Sequence, residues 1–224
     1  MSAANEKGVG LTTAIIGVGN LGRTVARHLV GGAEPVVLAA ADEGHAKALA
    51  DELGPNASAA SVDEAMAGAD VVVLATWVDQ TRELVPARTR LFEDKVVVDP
   101  SNPIGFDGDG QMFRTLPQGE SAGSVVAGLL PESAHFVKAF GTLGADQLAT
   151  SANREPRIVL FYATDDAAAE AAAQRLIRTA GFEPLKVGSV SDAGRIEGPD
   201  GDLQGQILQL DEARAAVATE GAKA

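Results

Sequence analysis

The sequence has no cysteine among its 224 residues, one tryptophan, one tyrosine and three histidines. Lacking thiols, it has no disulfide, no thiolate zinc or iron–sulfur site and no cysteine nucleophile. No two of His28, His45 and His135 have the i, i+4 spacing of a helical metal site, and none has a clustered carboxylate beside it in sequence. No metal site is expected. Basic residues are scarce, 18 Lys and Arg against 31 Asp and Glu, for a formal charge of −13. A chain this acidic lacks the electrostatic footprint of a nucleic-acid or anionic-membrane binder. No apolar run approaches the roughly 20 residues of a membrane span. The apolar stretch Val9 to Val18 lacks the basic flank of a signal peptide. The expectation is a cytoplasmic protein with neither nucleic acid nor membrane as partner.

What the chain does have is rhythm. Short runs rich in Val, Ile and Leu recur at Thr12 to Ile16, Val36 to Ala40, Asp70 to Ala75, Lys95 to Val98, His135 to Phe140, Arg157 to Thr164 and Glu183 to Val187. Most are continuous rather than alternating, as strands covered on both faces should be. Helical stretches follow at Leu21 to Val30, His45 to Leu53, Val62 to Ala67, Ala122 to Leu130 and Asp165 to Thr179, with a last helix from about Leu203 to Ala218. Ser61 with Glu64 forms a capping box, and Ser121 stands where an N-cap belongs. Alternating strands and helices predict an α/β, doubly wound, mostly parallel sheet. The expected division is a dinucleotide-binding domain over 1–190 with a C-terminal appendage over 191–224. Asp99 to Gly119 reads as one long loop.

Most of the chemistry sits in Gly17-Val18-Gly19-Asn20-Leu21-Gly22, directly after the first strand and opening the first helix. Gly17 permits the tight turn, Gly19 lets the backbone approach a pyrophosphate, and Gly22 lets the helix pack close. The helix N-terminus offers N–H groups and positive dipole, so even an acidic chain can bind an anionic dinucleotide. An acidic residue at the end of the second strand marks an NAD-preferring site. Here Ala40 and Ala41 stand there, then Asp42. The alanines leave room for a 2′-phosphate, yet no Arg or Lys lies between Arg27 and Lys47. Arg23 and His45 remain as sources of positive character. Asp42 reads either as a ribose contact or as the next helix's N-cap. NADP is the expected cofactor, with NAD also open and only a weak preference between them.

Ligands of open α/β sheets bind at the carboxyl ends of the strands. Thr76 and Trp77 follow the third strand there, Ser101, Asn102 and Pro103 the fourth, and Phe140, Gly141, Thr142 and Ala145 the fifth. These are the candidate neighbours of the nicotinamide and of whatever accepts its hydride; Trp77 serves equally as a cofactor wall or a core cap.

The glycine loop with Asn20-Leu21, Val97-Val98-Asp99-Pro100-Ser101-Asn102-Pro103, Ser121-Ala122-Gly123, Val137 to Leu143, Asp165-Asp166 and Gly181-Phe182-Glu183-Pro184 together resemble the NADPH-dependent F420 reductases. These are also called F420-dependent NADP oxidoreductases, and their relatives include the oxidoreductase domain of the STEAP metalloreductases. The resemblance implies a nicotinamide cofactor over the glycine loop and hydride transfer to F420, a deazaflavin, or a related flavin stacked on it. Two departures from the family stand out: Ala40 and Ala41 replace a Ser-Arg pair, and Gly141 replaces an asparagine.

Gly119-Glu120-Ser121-Ala122-Gly123 matches the nucleophile elbow of hydrolases, but Pro117-Gln118 stand where a strand is required. No catalytic acid or base stands out, and none is needed for hydride transfer between two rings. Fewer than forty residues follow Val187, which favours a flat co-substrate over a small enclosed one. A homodimer is expected, because Ile207, Leu208 and Leu210 need cover. The alternatives are a non-catalytic dinucleotide-binding regulator and a small-substrate reductase completed by a second subunit.

Overall fold

The computed structural model describes residues 11–220, so both outer bounds of the expected division, residues 1–10 and 221–224, lie outside the described residues. The strands are β1 (Thr13–Ile16), β2 (Val36–Ala39), β3 (Ala57–Ala59), β4 (Val71–Leu74), β5 (Val96–Asp99), β6 (Ile104–Phe106), β7 (Met112–Arg114), β8 (His135–Ala139), β9 (Val159–Ala163) and β10 (Glu183–Gly188). The helices are α1 (Asn20–Gly31), α2 (Glu43–Leu53), α3 (Val62–Gly68), α4 (Val78–Ala87), α5 (Ala122–Leu129), α6 (Ala145–Ser151), α7 (Ala167–Thr179) and α8 (Leu210–Glu220). The main sheet has eight strands in the order β10-β9-β8-β5-β4-β1-β2-β3. This is the doubly wound α/β sheet that the strand–helix alternation predicts.

Both faces of the sheet are covered, which is why its strands read as unbroken apolar runs. Ile15, Leu38, Val73 and Val98 point to one face, with Val25, Leu29 and Leu176. Ile16, Val72, Leu74 and Val97 point to the other, with Met66, Val85, Phe92 and Val126. Asp42, Ser61, Ser121 and Asp166 cap α2, α3, α5 and α7 by accepting backbone N–H bonds. Ser121 also pairs with the Ser124 hydroxyl. It is a helix cap after a turn, not a nucleophile on a strand end.

Pairing of β8 with β9 is antiparallel, while β9 and β10 run parallel to each other. The chain leaves β8 through the seven-residue α6, and β9 starts near the edge where β8 ends. The long loop holds the antiparallel β6–β7 hairpin. The last helix starts at Leu210 rather than Leu203; Leu203 is buried in the preceding turn beside β9 and β10. Leu208 and Leu210 pack on the same cluster as Val159, Phe161 and Val187. The cover expected from a second copy is therefore supplied within the chain for these two, while Ile207 stays exposed.

One ionic cluster ties these parts together. Asp99 and Lys138 are register partners on β5 and β8. Lys138 Nζ lies 2.8 Å from Asp99 Oδ2 and 3.3 Å from Glu197 Oε1, and it donates to the Ser101 carbonyl. Glu197 accepts the first N–H groups of α5, from Ala122 at 2.7 Å and Gly123 at 2.8 Å. Asp99 and Lys138 are wholly buried and Glu197 nearly so. Lys138→Met would leave two carboxylates in the interior, and removing one partner of a buried pair costs about 3–5 kcal/mol. Urea denaturation of the variant is expected to show a loss of that size. A loss below about 1 kcal/mol, typical of an exposed pair, would mean that water already reaches the cluster.

Candidate active site

The three motif glycines divide their work sharply. At Gly17 φ is +101°, and a Cβ would lie 2.3 Å from the Ala75 carbonyl oxygen. At Gly22 a Cβ would lie 2.1 Å from the Gly17 oxygen. Both are fixed by packing of the turn itself. Around Gly19 nothing lies within 4 Å of a Cβ position. Its missing side chain keeps open a space that the protein does not fill. Gly19 is also the N-cap of α1, and no side chain caps that helix, in contrast to α2, α3, α5 and α7. A helix end without a side-chain acceptor suits phosphate oxygens.

From this loop a crevice runs both ways along the carboxyl ends of the strands. One arm, of about 390 Å³, is lined by Asn20, Leu21, Pro100, Ser101, Asn102, Gly141 and Leu143 to Ala145, among others. The other, of about 630 Å³, runs past Gly17, Ala40, Ala41, Asp42 and His45. Gly19, Ala75, Thr76 and Trp77 line both. The crevice thus crosses the sheet between β1 and β4, where the winding direction reverses.

Of the candidate site residues, Gly17, Gly19, Asn20, Leu21, Ala40, Asp42, Thr76, Trp77, Ser101, Asn102, Gly141 and Ala145 line this crevice. Gly22 lies beneath the loop as its packing glycine. Pro103, Phe140 and Thr142 stand behind the wall: each is buried and lines neither arm. Phe140, at φ +66°, belongs to the core. Asp42 Oδ1 accepts the Gly44 N–H at 2.9 Å, so it is the N-cap of α2 while bordering the crevice. Asn102 is a strut: its Nδ2 donates to the Gly141 carbonyl at 2.9 Å, and its Oδ1 accepts the Gly198 N–H at 2.8 Å. The Ser101 hydroxyl is buried, borders the crevice and has no protein partner. An orphaned hydroxyl in that place fits a polar ligand group. A side chain at Gly141 would meet the Pro100 carbonyl at 2.5 Å. The glycine there is demanded by close backbone approach, and a bulky residue would distort the wall.

Ile104, Phe106 and Gln204 line the first arm without having been legible as site residues. Phe106 reaches it because the β6–β7 hairpin folds over the crevice, and its ring stands edge-on to Trp77, centroids 6.4 Å apart. Gln204 comes from the C-terminal segment, held there by the Gly205 N–H donating to the Thr142 carbonyl at 2.7 Å. Gln80, Leu84 and Arg88 line the second arm from α4 and its C-cap. Their four-residue spacing is the only sequence trace of that face. The three histidines are far apart in role: His28 stacks edge-on to Phe182, His45 borders the second arm, and His135 pairs with Asp166 at 2.8 Å. Burial holds His28 below the usual imidazole range, against a hydrogen bond to the Leu148 backbone.

Residues 12–103, which carry the glycine loop, Thr76-Trp77 and the strand β5 motif, match the family described as NADP oxidoreductase, coenzyme F420-dependent. Over those residues the chain is similar to the F420-dependent NADP oxidoreductases. It is 27% identical over 183 residues to the metalloreductase STEAP3 of Rattus norvegicus, a match covering 82% of the chain and 35% of that relative. The chain therefore spans about a third of the length of this curated relative. The hypothetical protein SMa0349 of Sinorhizobium meliloti superposes with a TM-score of 0.80 at 28% identity, over 90% of this chain and 97% of that one. A candidate F420-dependent NADP reductase from Arthrobacter sp. FB24 shares the fold, with a TM-score of 0.71 at 24% identity, over 82% and 87% of the two chains. The oxidoreductase resemblance read from the motifs is thus borne out. Among the described residues no helix is long and apolar enough to cross a membrane.

Gly19→Val separates ligand binding from folding. The substitution enters open space, so the melting temperature should stay near the parent's. A branched side chain facing the pyrophosphate should raise the dissociation constant for NADPH at least about tenfold, or 1.4 kcal/mol. Calorimetric titration reads the constant; unchanged affinity in a folded variant would move the nucleotide elsewhere.

Proposed function

We propose that this protein transfers a hydride between NAD(P)H and a deazaflavin such as F420, or a related flavin. The observation that carries the reading is the chemistry of the first crevice arm. None of its lining residues bears a charged side chain. Its walls are small, apolar or uncharged amide residues, with the exposed rings of Trp77 and Phe106 beside them. Such a surface binds and orients flat rings and offers no acid or base to a carbonyl or imine.

A bound reduced nicotinamide supplies the hydride itself. The protein's part is geometric. The open end of α1 and Gly19 would hold the pyrophosphate, and the Ser101 hydroxyl would anchor a polar group of the nicotinamide half. Asn102 keeps Gly141 and Gly198 in register, so the wall keeps its shape. Leu143, Gly144, Ile104 and Phe106 would exclude water from the facing rings. Bringing the reacting carbons within about 3–3.5 Å is enough for the hydride step itself; the negative charge it would leave on the acceptor ring is delocalised and takes its proton from solvent rather than from a protein acid. The Arthrobacter protein of the same fold, a candidate F420-dependent NADP reductase, agrees with this reading.

Single-turnover absorbance with NADPH and oxidised F420, repeated with riboflavin and FMN, tests it directly. Reduction of at least one acceptor is expected. Tight NADPH binding with no acceptor reduced would leave a dinucleotide-binding regulator. Phe106→Ala provides a finer check. Phe106 borders the first arm only and is more than half exposed, so truncation should leave stability and NADPH affinity near parent values. The acceptor's KM should rise by about tenfold, the loss of roughly one aromatic contact.

A further inference from the structure

The second crevice arm contains a cation that the β2 neighbourhood gives no sign of. Where readers of the adenosine ribose usually sit, the chain has Ala40, Ala41 and Asp42. On the opposite wall, α4 presents Gln80 and Leu84, and its C-cap Arg88 completes the same stripe. Among the described residues the Arg88 side chain has one polar partner: its Nε donates to Asp63 Oδ1 at 2.5 Å. That bond ties the side chain to α3 through Nε. Nη1 and Nη2 have no polar partner among the described residues, and Arg88 lines the arm. The charged or titratable residues lining this arm are Asp42, His45 and Arg88. Asp42 has already committed Oδ1 to the α2 cap and lies 3.6 Å from His45 through Oδ2.

We propose that Arg88 reads the 2′-phosphate of NADP, oriented by Asp63, across the space that Ala40 and Ala41 leave free. A guanidinium with two free amino groups presents the paired donors that a phosphate accepts. The small residues on the β2 side make room for the phosphate, and the cation comes from the other wall. His45 borders the same space. The proposal rests on the nucleotide half of the function above and is independent of the acceptor.

Calorimetric titration of NADPH, NADH and 2′,5′-ADP against the parent, Arg88→Gln, Arg88→Lys and Asp63→Asn tests it. In Arg88→Gln, NADPH and 2′,5′-ADP should weaken at least about tenfold and NADH less than about twofold, the scale of one charge-assisted pair. Arg88→Lys should recover part of the loss. Asp63→Asn removes the orienting carboxylate but keeps the cation, so it should weaken NADPH by less than Arg88→Gln does and leave NADH unchanged; a loss as large as that of Arg88→Gln would mark a merely structural pair and overturn the proposal. Equal weakening of NADPH and NADH would make Arg88 a stacking surface for adenine and overturn the proposal. Unchanged affinities in Arg88→Gln would overturn it as well. A parent that binds neither nucleotide would remove the functional reading along with it.

Discussion

Lys138 sits at a point where four separate parts of the chain meet. Its ammonium draws together the carboxylate that ends β5, the Ser101 carbonyl that opens the loop beyond it, and Glu197 from the C-terminal segment. Glu197 in turn holds the N-terminus of α5. Each of these charges would be costly alone in the interior, and each is tolerated because the others are in place. The loop that lines the first crevice arm therefore has a defined path. The cluster does this without touching the crevice: neither Asp99, Lys138 nor Glu197 lines it. It is a scaffold for the site rather than part of its chemistry.

The C-terminal segment matters for the same reason. Its burial on β9 and β10 is apolar, through Ile196, Leu203, Leu208 and Ala213. Its consequences at the crevice are polar and specific. Asn102 reaches Gly198, Gly205 reaches the Thr142 carbonyl, and Gln204 becomes part of the wall. The division of labour in the crevice follows. Backbone and small residues shape it, aromatic edges close one end, and the ionisable side chains gather at the other.

Much of the scaffold is legible in the amino-acid sequence alone. The glycine loop, the strand–helix alternation and the caps at Ser61 and Ser121 are local facts, each set by a few neighbouring residues. Such local facts are enough for the doubly wound sheet, for the starts of α1, α2, α3, α5 and α7 to within two residues, and for the first element of the nucleotide site, while α4 went unread and α8 starts later than expected. They are also enough to reject the nucleophile elbow, because the residues before Ser121 fail the local requirement.

What the sequence could not decide were matters of distance along the chain and direction in space. The reversal of β9 depends on the edge at which the chain re-enters the sheet after α6, and the strand itself carries no mark of its direction. Short exposed strands such as β3, β6 and β7 have too few apolar residues to announce themselves. Phe140 and Gly141 are adjacent, yet one enters the core and the other forms the wall, because a left-handed backbone at Phe140 turns the chain between them. Arg88 lies more than forty residues beyond the alanines it faces. Local pattern is set by neighbours in sequence; the crevice is set by which strand ends the topology brings together, and only the folded sheet makes Ala40 and Arg88 neighbours.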